Sequence, residues 1–411
     1  MYTNRAANRK GLIVTGPLSD LRLVELGQLL AGPYCGQLLG DYGAEVIKIE
    51  DPKRGDPLRD WGQEKAHGKS LWWPIAARNK KCVTADLRTP EGQQIVKELV
   101  EQSDMLLENF RPGTLERWGL GYDVLSKINP GLILIRVSGY GQTGPYAPRP
   151  GYASVGEAMG GLRYVIGEPD RMPARAGISL GDSLAATFAT LGALAALHSK
   201  EKTGKGQVID ASIYESVMAY MESLIPEWAI GGYQRERTGS VLPKITPSNV
   251  YPTKSGEMLL IAANMDTVFK RLAHAMGKPE LADDPKYATH IARGDNTAEL
   301  DAMIGDWSRT WEMKDLINHL IEEEVPHGLV YTAKDMIADP HIQARESIIN
   351  VDVPGVGEFP MQNIFPFFSD TKPSIRWSGP AHGEHTDEVY GDLLGYDAAK
   401  LADLRSKGII K

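Results

Sequence analysis

The chain has 411 residues, of which 42% are hydrophobic and 24% are charged, and this balance is typical of a folded globular protein. A chain of this length is too long to fold around one ordinary hydrophobic core. The length therefore predicts two domains, or one large domain with an insertion. The formal net charge of -8 argues against a surface built to coat nucleic acid, although it is compatible with a local basic pocket for an anion. The two cysteines, Cys35 and Cys82, are too few for a disulfide framework or a thiolate metal site.

The amino terminus, residues 1–20, contains no apolar stretch of signal-peptide length. By its sequence we expect no apolar run of the roughly 20 residues that a membrane span needs. We therefore expect a cytoplasmic protein that binds neither a membrane nor nucleic acid.

The amino-terminal half of the chain alternates between predicted strands and helices. Residues 27–43 form a glycine-rich loop that opens a short helix, and residues 89–103 form a helix with Thr89 as its N-cap. Such strand–helix–strand units predict an open parallel sheet, which binds ligands beyond the carboxyl ends of its strands. The predicted strands are residues 21–26, 44–50, 81–87, 104–110 and 132–141. The candidate ligand-binding loops are residues 27–33, 108–113 and 138–145.

Asp182 lies immediately before a long apolar segment, residues 184–199. The segment predicts a helix that is buried on most sides and ends near residues 202–206. A carboxylate at this place satisfies the unpaired N–H groups of the helix start, as an N-cap does. The helix start also keeps a carboxylate ionised, and an ionised carboxylate against an apolar wall can attack a carbonyl group. Spacing and composition alone favour the N-cap, and the two roles are compatible.

The composition changes after Pro226, where glycine, proline, serine and threonine become frequent. With this change as the first boundary, the chain is predicted to have four parts. They are residues 1–225, the first part of a large domain; 226–256, a linker; 257–324, a small domain; and 325–411, a return segment that completes the large domain.

Six blocks of sequence carry a resemblance. They are LAGPYCGQLLGDYGAEVIKIE (30–50), RNKKCVTADLRTPEG (78–92), residues 106–145, Gly181-Asp182-Ser183, TGKGQVID (203–210) and GEHTDEV (383–389). In this order they resemble the class III CoA-transferases, the CaiB/BaiF family, over nearly the whole chain.

The resemblance implies an α/β fold. It consists of a large open parallel-sheet (Rossmann-like) domain that binds CoA and a smaller α+β domain. It also implies a homodimer whose chains are interlinked like rings. Coenzyme A, as the acyl-CoA substrate, is the expected cofactor, a carboxylic acid is the expected acceptor, and no metal is expected.

The resemblance also gives Asp182 the role of nucleophile. In the family the corresponding aspartate attacks an acyl-CoA thioester, forms a mixed anhydride and releases CoA thiolate. The thiolate then converts the anhydride into an aspartyl-CoA thioester, and the acceptor acid repeats the two steps in reverse. This scheme needs water to be excluded from the anhydride and N–H groups to stabilise the oxyanion.

A set of residues in the matching blocks is implied to bind CoA. It comprises Leu30, Ala31, Lys53, Asn79, Lys80, Lys81, Asn109, Phe110, Arg111, Arg117, Gly139, Tyr140 and Gly141. The Lys and Arg side chains suit the phosphates of CoA, and Phe110 suits the adenine face. The glycines of the 138–145 loop suit oxyanion stabilisation, since glycine lets the backbone approach a ligand closely.

Three departures narrow the activity. Residues 246–256 replace the glycine run of the formyl-CoA:oxalate type, and Asp51 replaces an adenine-contacting arginine of that type. Tyr152-Ala153 follows Gly151 where the acyl-CoA racemases have His-Asp, and a racemase needs that His as an acid or base. The sequence therefore favours transfer over an acyl-CoA racemase or isomerase, and over a non-catalytic CoA-binding homologue.

Four arginines precede Asp182: Arg149, Arg163, Arg171 and Arg175. Guanidinium groups near a catalytic carboxylate suit a second carboxylate on the acyl group, which favours succinyl-CoA or a related dicarboxylyl-CoA donor. Solvent-facing arginines are the competing interpretation, and carnitine-type and bile-acid-type acceptors remain open. Whether Glu157 assists the reaction or only packs is also open.

Overall fold

The structure, a computed structural model, describes residues 16–411, so the expectation about a signal sequence lies partly outside the described residues. The chain divides into two compact units. The first consists of the described part of Met1–Leu162, Ala176–Ile225 and Gln343–Lys411, and the second of Arg163–Arg175 and Pro226–Ile342. A large α/β unit and a smaller mixed unit agree with the predicted fold class.

The unit boundaries differ from the predicted ones. The predicted linker, residues 226–256, belongs to the second unit, because it contributes a helix and a strand to that unit. The second unit also extends to Ile342. It includes a short earlier segment, Arg163–Arg175, called the excursion below, and no change of composition predicts this segment.

The first unit contains a six-stranded parallel sheet in the order β5-β2-β1-β6-β7-β8. Its strands are β1 Arg22–Glu25, β2 Glu45–Glu50, β5 Lys80–Thr84, β6 Met105–Glu108, β7 Ile133–Ser138 and β8 Val208–Ser212. The predicted strands fall on these elements. Their near-continuous Val, Ile and Leu runs are buried, as in a sheet covered on both faces. Two hairpins complete the strands of this unit: β3 Lys65–Ala66 with β4 Lys69–Ser70, and β12 Ile348–Val353 with β13 Gly357–Gln362.

The helices of the amino-terminal half of the chain are α1 Ala31–Asp41, α2 Trp73–Ala76, α3 Pro90–Glu101, α4 Thr114–Arg117, α5 Tyr122–Ile128, α6 Ala153–Met159, α7 Leu162–Val165, α8 Leu180–Thr203, α9 Ile213–Met218 and α10 Leu224–Gly231. Of these, α1, α3 and α8 pack on the parallel sheet. A 3₁₀ helix spans Pro57–Asp60. Helix α3 begins as predicted, since the Thr89 side chain accepts the Gly92 N–H at 3.1 Å.

The second unit is built on an antiparallel sheet, β11-β10-β9, with strands Ser248–Pro252 (β9), Met258–Ala262 (β10) and His327–Leu329 (β11). The remaining helices of the chain are α11 Asp266–Ala275, α12 His290–Asp295, α13 Thr297–Ser308, α14 Met313–Glu322, α15 Ala333–Ala338, α16 Pro340–Ala344, α17 Thr386–Leu394 and α18 Ala398–Ser406, with a 3₁₀ helix at Pro279–Ala282. In the hydrophobic core of the second unit, the helix residues Phe269, Leu272 and Leu316 pack against the sheet residues Leu259 and Ile261.

Helix α8 differs from its prediction in burial. Its packed face consists of small residues such as Ala185, Ala189 and Ala193, while Leu191 on the other side is 61% exposed. The helix is long and apolar enough to meet a length and composition test for a membrane span, contrary to the sequence-based expectation that no segment would. A packed helix of a globular unit meets the same test, and α8 packs on α1, where Thr190 Oγ1 donates to Cys35 Sγ at 3.3 Å.

Candidate active site

The candidate site lies at the carboxyl edge of the parallel sheet. All six strands run in one direction, so their carboxyl ends share this edge. A helix that joins two neighbouring parallel strands must run back along them. Helices α1, between β1 and β2, and α8, between β7 and β8, therefore both begin at the carboxyl edge, which places Asp182, in the first turn of α8, at the same edge as the β1–α1 loop.

Asp182 lies inside the first turn of α8. The helix begins at Leu180 and its N-cap is Ser179, so the interpretation of Asp182 as the N-cap is wrong. The side chain is partly buried, and the partial positive charge of the helix start attracts negative charge at this place. An ionised, partly buried carboxylate is the state that nucleophilic attack requires.

Gly181 brings the start of α8 into close contact with its neighbours. A Cβ at this position would lie 3.1 Å from the Ala153 carbonyl oxygen and 3.2 Å from both Glu157 Cγ and Ile213 Cγ2. A side chain at this position would require α6 or α9 to shift by a few tenths of an ångström, so the backbone before Asp182 is closely packed.

The β1–α1 loop is held from two neighbouring strand ends. Asn109 Oδ1 accepts the Gln28 N–H and its Nδ2 donates to the Gln28 carbonyl, both at 2.8 Å. Asp56 Oδ1 accepts the Leu29 N–H at 3.1 Å, and Leu29 has a φ of 62°. The side chain of Asn109 therefore positions the loop that leads to Leu30 and Ala31, which form the N-terminal end of α1.

A buried charge network supports this loop. Lys48 Nζ lies 3.0 Å from Glu25 and 2.8 Å from Asp56, and Lys80 Nζ lies 2.8 Å from Glu25. Lys48 also donates to the Gly27 carbonyl at 2.7 Å. Burial lowers the pKa of Lys80, and the Glu25 carboxylate opposes this shift. Lys80 is 0% exposed, so its ammonium group is inaccessible to a CoA phosphate and the prediction that it binds one does not fit the structure.

Asn79 and Lys81 do not fit the predicted cluster at the strand ends either. β5 begins at Lys80, opposite Val46 of β2, so both residues lie near the amino-terminal edge of the sheet. Asn79 donates to Asp41 at 3.0 Å, and Lys81 donates to Glu388 at 2.8 Å. Asn79 and Lys81 are therefore held by scaffold contacts near the edge opposite to the one where Asp182 lies.

The remaining predicted cations do lie at the carboxyl edge. Lys53 is exposed in the turn after β2, and Arg111 is exposed after β6. Arg117 is exposed in α4, where it donates to Thr114 Oγ1 at 2.9 Å. Phe110 packs edge-on against Trp118, with ring centroids 5.2 Å apart.

The carboxyl edge also contains cations that the sequence analysis missed. Arg88 follows β5, is exposed, and contacts Asp86 at 2.7 Å and Asp51 at 3.1 Å. Arg54 is exposed beside Lys53. The signal for Arg88 was present, because it comes directly after the predicted strand 81–87.

Beneath these exposed cations, Glu108 ends β6 in a buried pair with Arg136, at 2.7 Å. Burial raises the pKa of Glu108 to about 7, and Arg136 opposes this shift. The second Glu108 oxygen accepts the Phe110 N–H at 2.7 Å, which fixes the loop that carries Phe110 and Arg111.

The β7–α6 loop has a fixed backbone. Gly141 donates its N–H to Ser138 Oγ at 3.0 Å, so its N–H does not fit the predicted oxyanion role. A Cβ on Gly139 would lie 2.8 Å from the Gly151 Cα, and the Tyr140 ring packs edge-on against Tyr146 at 5.9 Å. The loop is thus built to bring backbone close to backbone at the carboxyl edge.

The four arginines before Asp182 do not form one cluster within a unit. Arg149, in the first unit, stacks on the Tyr146 ring at 3.7 Å. Arg163, Arg171 and Arg175 belong to the excursion Arg163–Arg175 of the second unit. Arg171 and Arg175 are exposed there. Within that unit Arg237 fastens the excursion by donating to the carbonyls of Tyr164 and Pro169, at 3.1 and 3.4 Å.

Two short patterns match known motifs by spacing alone. Residues 139–144 have GxGxxG spacing, but α6 begins only at Ala153, so these glycines do not open a helix as a dinucleotide site requires. Residues 177–181 have GxSxG spacing, but Ser179 follows a helix rather than the strand of a hydrolase nucleophile elbow. Within residues 16–411 no group of three or more His, Cys, Asp or Glu side chains is arranged to hold a metal ion.

Comparison with known proteins gives a consistent match along the chain. The sequence model described as "CoA-transferase family III" matches residues 18–386. The chain is 57% identical to succinyl-CoA–D-citramalate CoA-transferase of Chloroflexus aurantiacus, covering 96% of this chain and 98% of that protein. It is 41% identical to the β subunit of succinyl-CoA–L-malate CoA-transferase of the same organism, covering 97% and 100%. Among solved structures, a CaiB/BaiF family protein of Brucella suis matches with a TM-score of 0.81 and 35% identity, covering 92% of this chain and 100% of that one.

Proposed function

The chain belongs to CoA-transferase family III, and from this premise we propose that it transfers CoA from succinyl-CoA to a second, hydroxylated dicarboxylic acid of the citramalate or malate type, with Asp182 as nucleophile. The observation that carries the proposed mechanism is the position of Asp182, partly buried in the first turn of α8 at the carboxyl edge of the sheet. The names of the relatives that share 57% and 41% of their residues with this chain support the choice of acids.

The reaction proceeds as an exchange of activated acyl groups. An Asp182 oxygen attacks the thioester carbonyl of succinyl-CoA, the C–S bond breaks, and CoA leaves as thiolate. The thiolate attacks the Asp182 Cγ of the mixed anhydride and releases succinate, leaving an aspartyl-CoA thioester. The acceptor carboxylate attacks that thioester and forms a new anhydride, and CoA thiolate then attacks the acceptor acyl carbon and frees Asp182. Each bond that breaks is replaced by one of similar energy, so no acyl group is lost provided that water is excluded.

The exposed cations of the carboxyl edge suit the phosphates of CoA. They are Lys53, Arg54, Arg88, Arg111 and Arg117. Arg and Lys side chains at this edge give charge-assisted hydrogen bonds to phosphate oxygens. Phe110, half-buried beside Arg111, offers an aromatic ring to the adenine. The acyl end of CoA then extends towards Asp182 past the loop that holds Leu30 and Ala31.

A homodimer in the cytoplasm completes the proposal. Val155, Met159, Leu191, Met218 and Tyr220, on or next to α6, α8 and α9, are large apolar side chains exposed on one chain. Several large apolar side chains exposed on helices that contact one another are typical of a protein–protein interface. Sedimentation analysis is the check, with a mass twice the 45.0 kDa of one chain expected.

The proposed function is tested by incubating the protein with succinyl-CoA and a panel of acceptors, and by following the CoA esters by mass spectrometry. The panel contains citramalate, malate, glutarate and carnitine. We expect exchange with the dicarboxylates and a loss of about 10³-fold or more in the Asp182→Asn variant, which keeps the shape of the side chain but cannot form an anhydride.

Three outcomes contradict the proposal. CoA exchange by Asp182→Asn at the wild-type rate would show that the reaction does not use Asp182 as nucleophile. Deuterium uptake at the α-carbon of an acyl-CoA without acyl exchange favours the isomerase alternative, and CoA binding without either reaction favours a non-catalytic homologue.

A further inference from the structure

Glu157 is a buried carboxylate next to the proposed nucleophile. It lies in α6, is 0% exposed, and its Oε1 accepts the Gly181 N–H at 3.1 Å. Burying a carboxylate costs free energy unless it makes compensating hydrogen bonds. The hydrogen bond from the Gly181 N–H is one such compensation.

The contact answers a need of the α8 helix start. The first N–H groups of a helix have no acceptor within the helix, and the N-cap Ser179 accepts none of them with its side chain. Glu157 supplies an acceptor for one of them from a different helix. A carboxylate is a strong acceptor here, because its charge is opposite to the partial charge of the helix start.

The contact also lies one residue before Asp182. A hydrogen bond to the Gly181 N–H restrains the peptide that leads directly into Asp182, and the tight packing of Gly181 against Ala153 and Ile213 restrains the same peptide from two sides. The neighbouring contacts are equally close, since a Cβ on Gly156 would lie 2.5 Å from Ile213 Cγ2. Glu157 thus belongs to a rigid three-helix junction of α6, α8 and α9.

We propose that Glu157 is a positioning residue for Asp182: by accepting the Gly181 N–H it fixes the first turn of α8, and with it the direction from which the Asp182 carboxylate meets the thioester. This inference rests on the proposed nucleophilic role of Asp182. A misplacement of about 1 Å in a reacting group lowers rate by about 10²-fold, so the effect of losing this restraint falls on kcat rather than on substrate binding.

Two substitutions at position 157 test separately whether the length or the charge of the Glu157 side chain matters. Glu157→Gln keeps an oxygen at the same distance from the Gly181 N–H but removes the charge. Glu157→Asp keeps the charge but is one methylene shorter and cannot reach that N–H. We expect Glu157→Asp to lower kcat by about 10²-fold with an unchanged KM for succinyl-CoA, and Glu157→Gln to keep kcat within about threefold of wild type.

Ser216→Ala is the matched control for the loss of a buried polar group in the same junction. Ser216 is 5% exposed in α9 and donates to the Ser212 carbonyl at 2.7 Å, away from Gly181. It should lose thermal stability similar to that of the Glu157 variants and keep the wild-type kcat.

Three results overturn the positioning role: an unchanged kcat in Glu157→Asp, a loss in Glu157→Gln as large as in Glu157→Asp, or a loss in Ser216→Ala of the same size. Failure of the proposed function is read separately, from Asp182→Asn. If that variant exchanges CoA at the wild-type rate, the nucleophile is not Asp182 whatever the Glu157 variants do.

Discussion

The two ends of strand β5 carry similar residues with opposite roles. At its amino-terminal end Lys80 is fully buried against Glu25, and Asn79 is hydrogen-bonded to Asp41. Beyond its carboxyl end Arg88 is exposed, with only surface contacts to Asp86 and Asp51. A cation that is buried and paired stabilises the scaffold, whereas an exposed one at the ligand edge is free to exchange its partner for a phosphate. Under the proposed function, position along the strand, rather than residue type, therefore separates the cations that stabilise the scaffold from those that bind CoA.

The largest effect expected from this difference is on stability. Lys80→Met leaves Glu25 buried with one of its two lysine partners missing, and we expect the free energy of unfolding to fall by about 3–5 kcal/mol. Urea unfolding measures this loss. In protein that remains folded, the KM for succinyl-CoA should be unchanged. An unchanged free energy of unfolding in Lys80→Met, together with a raised KM for succinyl-CoA, would show instead that Lys80 binds CoA.

An intermediate effect is expected at the other end of the strand. Replacing Arg88 or Arg111 by Ala removes one charge-assisted contact to a CoA phosphate, which corresponds to a rise of about tenfold in KM for succinyl-CoA. The free energy of unfolding should change by less than about 0.5 kcal/mol, since both side chains are exposed.

Lys202→Ala is the control for this pair. Lys202 is an exposed cation in the last turn of α8, far along the helix from its start at the carboxyl edge. It should leave KM unchanged, and the KM increases of the two arginine variants should shrink at high salt, because phosphate contacts are screened. Equal KM values for all three variants would contradict the assignment of the carboxyl edge to CoA.

The smallest effect is expected in the middle of β5. His385 Nδ1 accepts the Cys82 N–H at 3.2 Å, and burial lowers the pKa of His385 below 6.5. Because the unfolded chain takes up this proton more readily, the contribution is complete above pH 6.5 and is lost as the pH falls below it. The partly exposed ring limits the loss to less than about 1 kcal/mol by pH 5.5.

His385→Asn checks this sign. Its amide oxygen can accept the Cys82 N–H in place of Nδ1 but does not titrate, so unfolding measured at pH 7 and pH 5.5 should differ less in the variant than in the wild type. A pH dependence that is identical in the two proteins would remove His385 as its source.

The sequence predicted the elements of the large unit well, because Val, Ile and Leu runs report strands directly. It also predicted the start of α3 at Thr89 and the end of α8 before Gly204, where local residue types decide the structure. It failed where the outcome depends on distant partners. Asn109 holds Gln28 across 81 positions, and no local pattern reports that bond.

The candidate site was predicted in part, for a similar reason. Asp182 was found, but its place inside the first turn of α8 rather than at the N-cap depends on a helix that begins at Leu180, four residues before the apolar segment 184–199. The grouping of Asn79, Lys80 and Lys81 with Arg111 treated residues before a strand and after a strand alike. Composition also overstated the burial of α8, since Ala and Gly pack on one face while Leu191 is exposed on the other.

The most direct test of the central claim, that Asp182 carries the acyl and CoA groups in turn, is mass spectrometry of the enzyme itself. Wild-type protein is incubated with succinyl-CoA alone, quenched, digested and searched for modified peptides. The account predicts a CoA thioester on the peptide that contains Asp182, which disappears when an acceptor dicarboxylate is added and is absent from Asp182→Asn. A CoA adduct on a different residue, or rapid exchange with an unmodified Asp182 peptide at every time point, would contradict it.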